Sequence, residues 1–444
     1  MKKKTFLVAM FLATTVFADE NRLTAFWQAP AMNLEQAEKL AKFDLVVVDL
    51  ENWFNNPKSI ALIRQQNSDC KILAYCNPME FFDPQVPGRP FQSRLYEEVA
   101  GKFPGWWLNQ PSGDPVYYWD APRMRMLNLS SQCPKYHGQT WTDFLAEELK
   151  RKLLSLPNKP DGIFVDNAWD DVSWVKDGNL DADGNGVRDD PHALDFWWRQ
   201  GMESFLKKLK ATAGLVIGNE PNLFYQNKLS GKFFENMPLK NFGGFEGSVL
   251  TYTQDLNQLP MNIIHSELKN KEWRMFILTT TLLGEGWFCN GLNHAEWYPE
   301  YDKIAKLGQP QGEVQLPHQL VWQSDEINFA QAKEIKSDLL EAGEYLVSYK
   351  YQIPAGNQLV VQGVSEQYGG VFPYSQQIHD RWISGNIYTT MRLTAPGRIV
   401  WRGEAGTALD LRIWRKNHGP WTRQYEHGQV LVWPDQARGE ILLN

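Results

Sequence analysis

Eight short apolar runs, spaced by longer segments of helical periodicity or by long connections, constrain this chain more than any other feature. The runs are Thr24 to Ala29, Leu45 to Glu51, Lys71 to Pro78, Gly162 to Trp169, Leu215 to Pro221, Gly243 to Ser248, Met261 to Glu267 and Gly286 to Gly291. Amphipathic segments lie between them at Asn33 to Lys42, Thr140 to Leu156, Ala193 to Ala213 and Lys271 to Leu283, with apolar residues three and four apart. Near-continuous apolar strands separated by helices imply a parallel sheet covered on both faces, and eight such units predict a (β/α)8 TIM barrel over residues 19–320. A doubly wound open sheet is the alternative. No GxGxxG or GxxxxGK[ST] follows the first strand, so its nucleotide-binding versions lose support.

Past residue 320 the period changes to two. Gln358 to Val364, Ile387 to Leu393, Arg398 to Trp401, Ala408 to Trp414 and Gln429 to Trp433 are short alternating runs between turn residues, which predicts an all-β sandwich over 321–444. Ser324 to Ala342 reads as a helical junction.

The N-terminus predicts export. Lys2, Lys3 and Lys4 precede an apolar run, Phe6 to Phe17, and small residues stand before Asp19, so residues 1–18 read as a signal peptide cleaved after Ala18. A secreted or periplasmic location follows. No later apolar stretch is long enough to span a membrane; Met275 to Leu283 carries three Thr. The full chain has net charge -7; with no basic field to neutralise phosphates, nucleic acid is not an expected partner. Cys70, Cys76, Cys133 and Cys289 allow either up to two disulfides or four buried thiols. None forms a CxxC pair, the eight His show no HxH or HExxH, and no G-x-S-x-G elbow is present, so zinc, thiol-redox and serine-hydrolase chemistries lack support. No organic cofactor is implied.

Acids recur at the predicted carboxyl ends of strands: Asp49 and Glu51, Asp166, Glu220, Glu246 and Glu267, with Glu285 before the eighth. Glycosidic hydrolysis needs two carboxyl groups about 5 to 9.5 Å apart, and a ring of acids at a barrel mouth can supply them. Helix capping explains Asp49, Glu267 and Glu285 equally well. Asp166 ends GIFVDNAW and Glu246 sits in GGFEGS; these two are the candidate catalytic pair, with Glu246 as proton donor and Glu220 in reserve. Trp27, Asp49, Glu51, Tyr75, Asn77, Asn167, Trp169, Glu220, Glu285 and Trp287 are candidate substrate contacts, the aromatics because their faces pack on sugar rings. Core filling is the alternative for Trp287. The chain is rich in such rings, with 19 Trp, 16 Tyr and 23 Phe.

Two long connections, Met79 to Gln139 and Asp170 to Pro191, follow strands and so belong to the barrel's carboxyl face. The second contains Asp181, Asp183, Asn185, Val187 and Asp189 at alternate positions with Gly186 sixth, the first part of a Ca²⁺ loop. Position twelve is His192 rather than Glu, so it is no complete EF-hand. An Asx-rich turn is the alternative.

The succession FWQAP, VVVDLEN, ILAYCNP, WWLNQPSGDPVYYW, MLNLSS, GIFVDNAW, LLGEGWF and YDKIAKLGQPQGE resembles a family of hypothetical glycosyl hydrolases, itself distantly similar to the endo-α-1,4-polygalactosaminidases. The resemblance covers about residues 24–320 and extends weakly to RQYEHGQVLVWP. It implies a TIM barrel, a carbohydrate substrate, and catalytic roles for a strand-four Asp and a later-strand Glu, here Asp166 and Glu246. A carbohydrate-binding barrel without turnover is the rival reading.

Overall fold

The computed structural model describes residues 22–444 apart from 241–242, 353–356, 366–370, 380–384 and 404; the predicted signal peptide lies outside the described residues. Eight parallel strands close into a barrel: Leu23–Trp27, Leu45–Asp49, Lys71–Cys76, Gly162–Val165, Leu215–Asn219, Gly231–Phe234, Ile263–Ser266 and Trp287–Leu292, strands one to eight below. The four expected helices form, as Leu34–Leu40, Trp141–Lys152, Pro191–Ala213 and Lys271–Leu282. Each starts on a side-chain cap, from Asn33, Thr140, Asp190 and Asn270, which satisfies amide donors that the first helical turn leaves open.

Strand six departs from expectation. Gly231–Phe234 occupies the place assigned to Gly243–Ser248, and the latter falls within the helix Gly244–Leu250. The buried residues Phe245, Ser248 and Val249 lie three and four apart, a helical stripe, and Ser248 Oγ donates to Gly244 O. Gly231 permits the true strand to approach its neighbour, because a Cβ there would stand 1.9 Å from Met261 O.

Apolar side chains from the strands fill the barrel interior. Phe26, Val47, Leu73, Phe164, Ile217, Phe233 and Ile263 belong to one buried cluster. Phe26, Phe164 and Phe233 meet pairwise at ring centroids of 4.9 to 5.3 Å, making an aromatic floor. Strand side chains alternate, so two residues further toward the carboxyl end the inward positions become Asp49, Tyr75, Asp166, Asn219, Glu235 and His265. An apolar floor thus carries a polar rim.

Two sheets of the tail pack face to face. One orders Gln319–Asn328, Thr407–Arg415, Gly343–Gln352 and Gly385–Leu393; the other orders Glu334–Lys336, Gly397–Gly403, Leu359–Ser365 and Val371–His379. Phe329, Val347, Tyr349, Val361, Trp401 and Ile413 fill the space between. The expected junction helix, Ser324 to Ala342, is replaced by strand, because antiparallel pairing such as Ser324 with Leu411 outweighs a weak helical spacing. A third sheet, Pro310–Gln315 with Trp421–Tyr425, Gly428–Trp433 and Arg438–Leu443, lies on the helix Lys271–Leu282. Gly439 makes that approach possible, since a Cβ there would overlap Thr279 Oγ1. All four cysteines are buried and free, so the disulfide alternative is not realised. Among the described residues no helix is long and apolar enough to cross a membrane.

Candidate active site

Three strand ends build the centre of the rim in the same way. Asp166, Asn219 and Glu235 follow strand interiors, and the next residues, Asn167, Glu220 and Asn236, have φ of 51°, 136° and 59°. Left-handed backbone immediately after each inward side chain turns the chain away from the mouth, and Asn tolerates it best among residues with a Cβ. For Glu220 this φ is a strained value of the kind held at functional sites.

Asp166 accepts three hydrogen bonds: from Tyr75 Oη, from Asn167 N at 2.9 Å and from Asn219 Nδ2 at 2.8 Å. All three partners are donors, so its oxygens are held in one orientation. The same Asn219 amide nitrogen donates to Glu235 Oε2 at 3.0 Å. Two oxygens so close to one nitrogen are under about 6 Å apart, so strands four and six face each other with two carboxyl groups across a small gap. Burial, and then the charge of Asp166, raises the Glu235 pKa against the opposing effect of Asn219.

Glu80, from the first long connection, completes the cluster. Its Oε1 accepts from Asn77 Nδ2 at 3.1 Å and Asn167 Nδ2 at 3.3 Å, while its buried Oε2 has no hydrogen-bond partner among the described residues. Burial pushes its pKa up to about 7, with Asp166 adding to the rise. His265 is the third residue of strand seven. Its Nδ1 accepts the Asn236 N–H at 3.1 Å, which leaves the proton on Nε2, and burial holds its pKa down at about 4, so the ring is neutral.

The other acids have structural partners. Asp49 pairs with Arg89 at 2.6 Å. Glu51 accepts from Phe91 N at 3.0 Å and Gln92 N at 2.8 Å, fastening the first turn of the helix Pro90–Lys102, and burial raises its pKa to about 7. Glu220 is turned off the axis toward a buried group behind the rim: Lys232 Nζ donates to Asn222 Oδ1 at 2.9 Å, and Asn222 Nδ2 to Asp170 Oδ1 at 3.1 Å. Burial moves Glu220 and Lys232 both to about 7 and Asp170 to about 6.

The structure brings Tyr75, Asn77, Asp166 and Asn167 together and leaves several expected residues elsewhere. Glu246 lies on a helix and pairs with Lys416 of the tail at 2.6 Å, because the strand that was to carry it does not exist. Glu285 precedes strand eight, so it sits at the amino face, where Arg22 and Arg423 hold it. Trp287, the first residue of that strand, fills the barrel core and donates from Nε1 to Pro260 O. Trp27 ends strand one, half-buried, with Nε1 on Ala31 O. Trp169 meets Tyr118 edge to face at 4.9 Å. Sequence reading missed Glu235, Glu80, Asn219, Tyr118 and His265. Glu235 had a legible signal, since Phe-Phe-Glu-Asn repeats the apolar-acid-Asn order of Phe-Val-Asp-Asn at Asp166.

In the second long connection Asp181, Asp183 and Asp189 each bring a carboxylate oxygen within 4.8 Å of the others. Asn185 Oδ1 accepts from Val187 N at 2.7 Å, and the Val187 side chain is exposed. Burial raises the Asp189 pKa, and its two acidic neighbours add to the rise. The two long connections are tied together: Asp181 N donates to Asn109 O at 3.0 Å and Asn128 Nδ2 to Ala182 O at 2.6 Å.

The profile of hypothetical glycosyl hydrolase family 15 matches residues 64–325. Among curated proteins none matches this sequence. Solved structures of similar outline include a cycloisomaltooligosaccharide glucanotransferase of Paenibacillus sp. complexed with cycloisomaltoheptaose, at 11% identity and TM-score 0.30, with 88% of this chain and 57% of that one covered. Isomalto-dextranase of Arthrobacter globiformis T6, complexed with panose, is similar at 10% identity and TM-score 0.38, covering 89% of this chain and 98% of its own. A fucosidase of Ruminococcus gnavus in complex with fucose follows at 10% and 0.29, with 89% and 93% covered.

Proposed function

From the premise that the chain belongs to hypothetical glycosyl hydrolase family 15, we propose that it is a retaining glycoside hydrolase with Asp166 as nucleophile and Glu235 as acid and base. One observation carries the assignment: a single amide, Asn219, bonds both carboxyl groups, which keeps the bonded oxygens under about 6 Å apart, short of the roughly 6.5 to 9.5 Å that leaves room for a water in inverting enzymes.

The chemistry follows from the two environments. Asp166, surrounded by donors, attacks the anomeric carbon while Glu235, whose raised pKa favours a retained proton, protonates the departing glycosidic oxygen. The C–O bond to the leaving sugar breaks as the bond to Asp166 Oδ forms. Glu235, now a carboxylate, takes a proton from water, whose oxygen displaces Asp166 and restores the original configuration. Tyr75 and Asn219 hold Asp166 in place through both steps. Proton transfer by a positioned acid contributes about 10² to 10⁴ in rate. Asp166→Asn and Glu235→Gln should each lose that much turnover on whichever member of a polysaccharide and aryl glycoside panel is cleaved, with melting temperature nearly unchanged. Turnover untouched by either substitution would reject the pair. Sugar binding that persists where neither wild type nor variant turns over would favour the non-catalytic reading.

Two finer readings accompany this one. The basic and then apolar N-terminus supports export. The three converging carboxylates support a Ca²⁺ site formed by Asp181, Asp183 and Asp189, to which Asn185 and the Val187 carbonyl would add oxygens. Its role would be to brace the connection that follows Trp169 and carries Trp174.

A further inference from the structure

Four aromatic rings stand together beside the carboxyl pair. Tyr118, from the first long connection, is the hub: it meets Trp119 at 4.9 Å, Trp169 at 4.9 Å and Trp174 at 5.5 Å, each edge to face. Tyr118 lies within electrostatic reach of Glu80, Glu235 and Asp166. Trp169, three residues beyond Asp166, joins the cluster to the mouth.

Its outer members are exposed in a way that core filling does not explain. Trp106, Trp141, Trp198 and Trp287 are fully buried, whereas Trp119 is 49% and Trp174 42% exposed. Such exposure leaves much of each indole uncovered, and uncovered indole faces pack on the apolar faces of pyranose rings. Trp174 is also held rigidly from both sides. Asp195 of the helix Pro191–Ala213 accepts from Val172 N at 2.9 Å, Ser173 N at 2.8 Å and Ser173 Oγ at 2.8 Å. Beyond Trp174, Lys176, Asp177 and Gly178 are all left-handed, and Arg188 grips Asp177 O at 2.7 Å and Gly178 O at 3.0 Å. A strained turn fixed at both ends presents an exposed ring in one orientation, as a preorganised binding surface requires.

Charge narrows the occupant. Asp49, Glu80, Asp166 and Glu235 face the mouth, and Arg89, the cation beside them, is paired with Asp49. A uronate would meet the Asp166 carboxylate there with Arg89 already engaged.

Resting on the glycosidase reading of the mouth, we infer that Trp119 and Trp174 form an outer subsite for a second and third sugar, so that the substrate is a pyranose chain without carboxylates rather than a monosaccharide glycoside. The test uses the full chain carrying Asp166→Asn, which binds without turnover. Tryptophan fluorescence and calorimetric titrations would compare isomalto-, malto-, cello-, laminari- and manno-hexaoses with their disaccharides, and with hexagalacturonate. One neutral hexaose should bind at least about 10-fold tighter than its disaccharide. Trp119→Ala and Trp174→Ala should each weaken the hexaose about 3- to 10-fold and leave the disaccharide unchanged, with Trp174→Phe retaining most affinity. The inference is overturned if no neutral hexaose binds, if hexaose and disaccharide bind alike, if the Trp119→Ala/Trp174→Ala double variant binds as well as its parent, or if hexagalacturonate binds best. Failure of the catalytic reading looks different: Trp-dependent binding would stand while Glu235→Gln and Asp166→Asn leave turnover as it was.

Discussion

Glu80 is 1% exposed and has one oxygen without a partner, so keeping it charged inside the protein should cost stability. Its pKa is raised from 4.5 to about 7. An acid whose folded pKa lies above its unfolded one binds its proton more tightly in the folded state, so the protein loses stability as pH rises from 4.5 and the loss is complete above about 7. At roughly 1.4 kcal/mol per pKa unit the full effect is about 3 kcal/mol. Glu80→Gln keeps an oxygen able to accept from Asn77 and Asn167 and cannot ionise. Relative to wild type, the variant should therefore gain about 3 kcal/mol between pH 4.5 and 8, and for a barrel of about 300 residues that is a shift of roughly 5 °C. Melting both proteins by circular dichroism across that range measures it. Parallel pH profiles, or a variant that falls further behind at pH 8, would refute the reasoning.

Glu246→Gln breaks a half-buried pair with Lys416 and should lower stability by about 1 kcal/mol in urea titrations while changing turnover less than threefold; a loss of turnover as large as that of Glu235→Gln would return Glu246 to the catalytic centre. Asn219→Ala removes the amide bonded to both carboxyl groups, and kcat should fall about 10- to 100-fold with the fold intact; an unchanged kcat would deny it a positioning role. Millimolar Ca²⁺ should raise the melting temperature of the full chain, and Asp181→Ala with Asp183→Ala should abolish the rise. Equal melting curves with calcium and with a chelator would leave the loop as a plain acidic turn.

The barrel was legible because seven of its strands lie in near-continuous apolar runs, and strand direction alone placed Asp166, Tyr75 and Asn77 at the carboxyl mouth. Strand six was not, because it is four residues long with a buried Lys232 inside it, and a charge within so short a run hides the strand pattern. The glycines around Glu246 looked like a strand edge but start a helix. That one displacement put Glu246 in the strand-end place that Glu235 occupies. Glu285 could have been excluded from sequence, since a residue before a barrel strand lies at the amino face. The two long connections were placed on the carboxyl face, but which of their side chains reach the mouth, Glu80, Tyr118, Trp119 and Trp174 among them, was beyond sequence reading, because their course depends on contacts such as Asn128 with Ala182 and Asp195 with Ser173. Gly201 records the same dependence: a Cβ there would overlap Leu129 O, so the first connection lies directly on the helix Pro191–Ala213.

The spacing of Asp166 and Glu235 is tested most directly by the stereochemistry of hydrolysis. Proton NMR of the first product, recorded before mutarotation, reports whether the anomeric configuration of the cleaved bond survives. Two carboxyl groups bridged by one Asn219 amide predict retention. Release of the opposite anomer would require a water between acid and base, and would contradict the assignment of Asp166 as nucleophile.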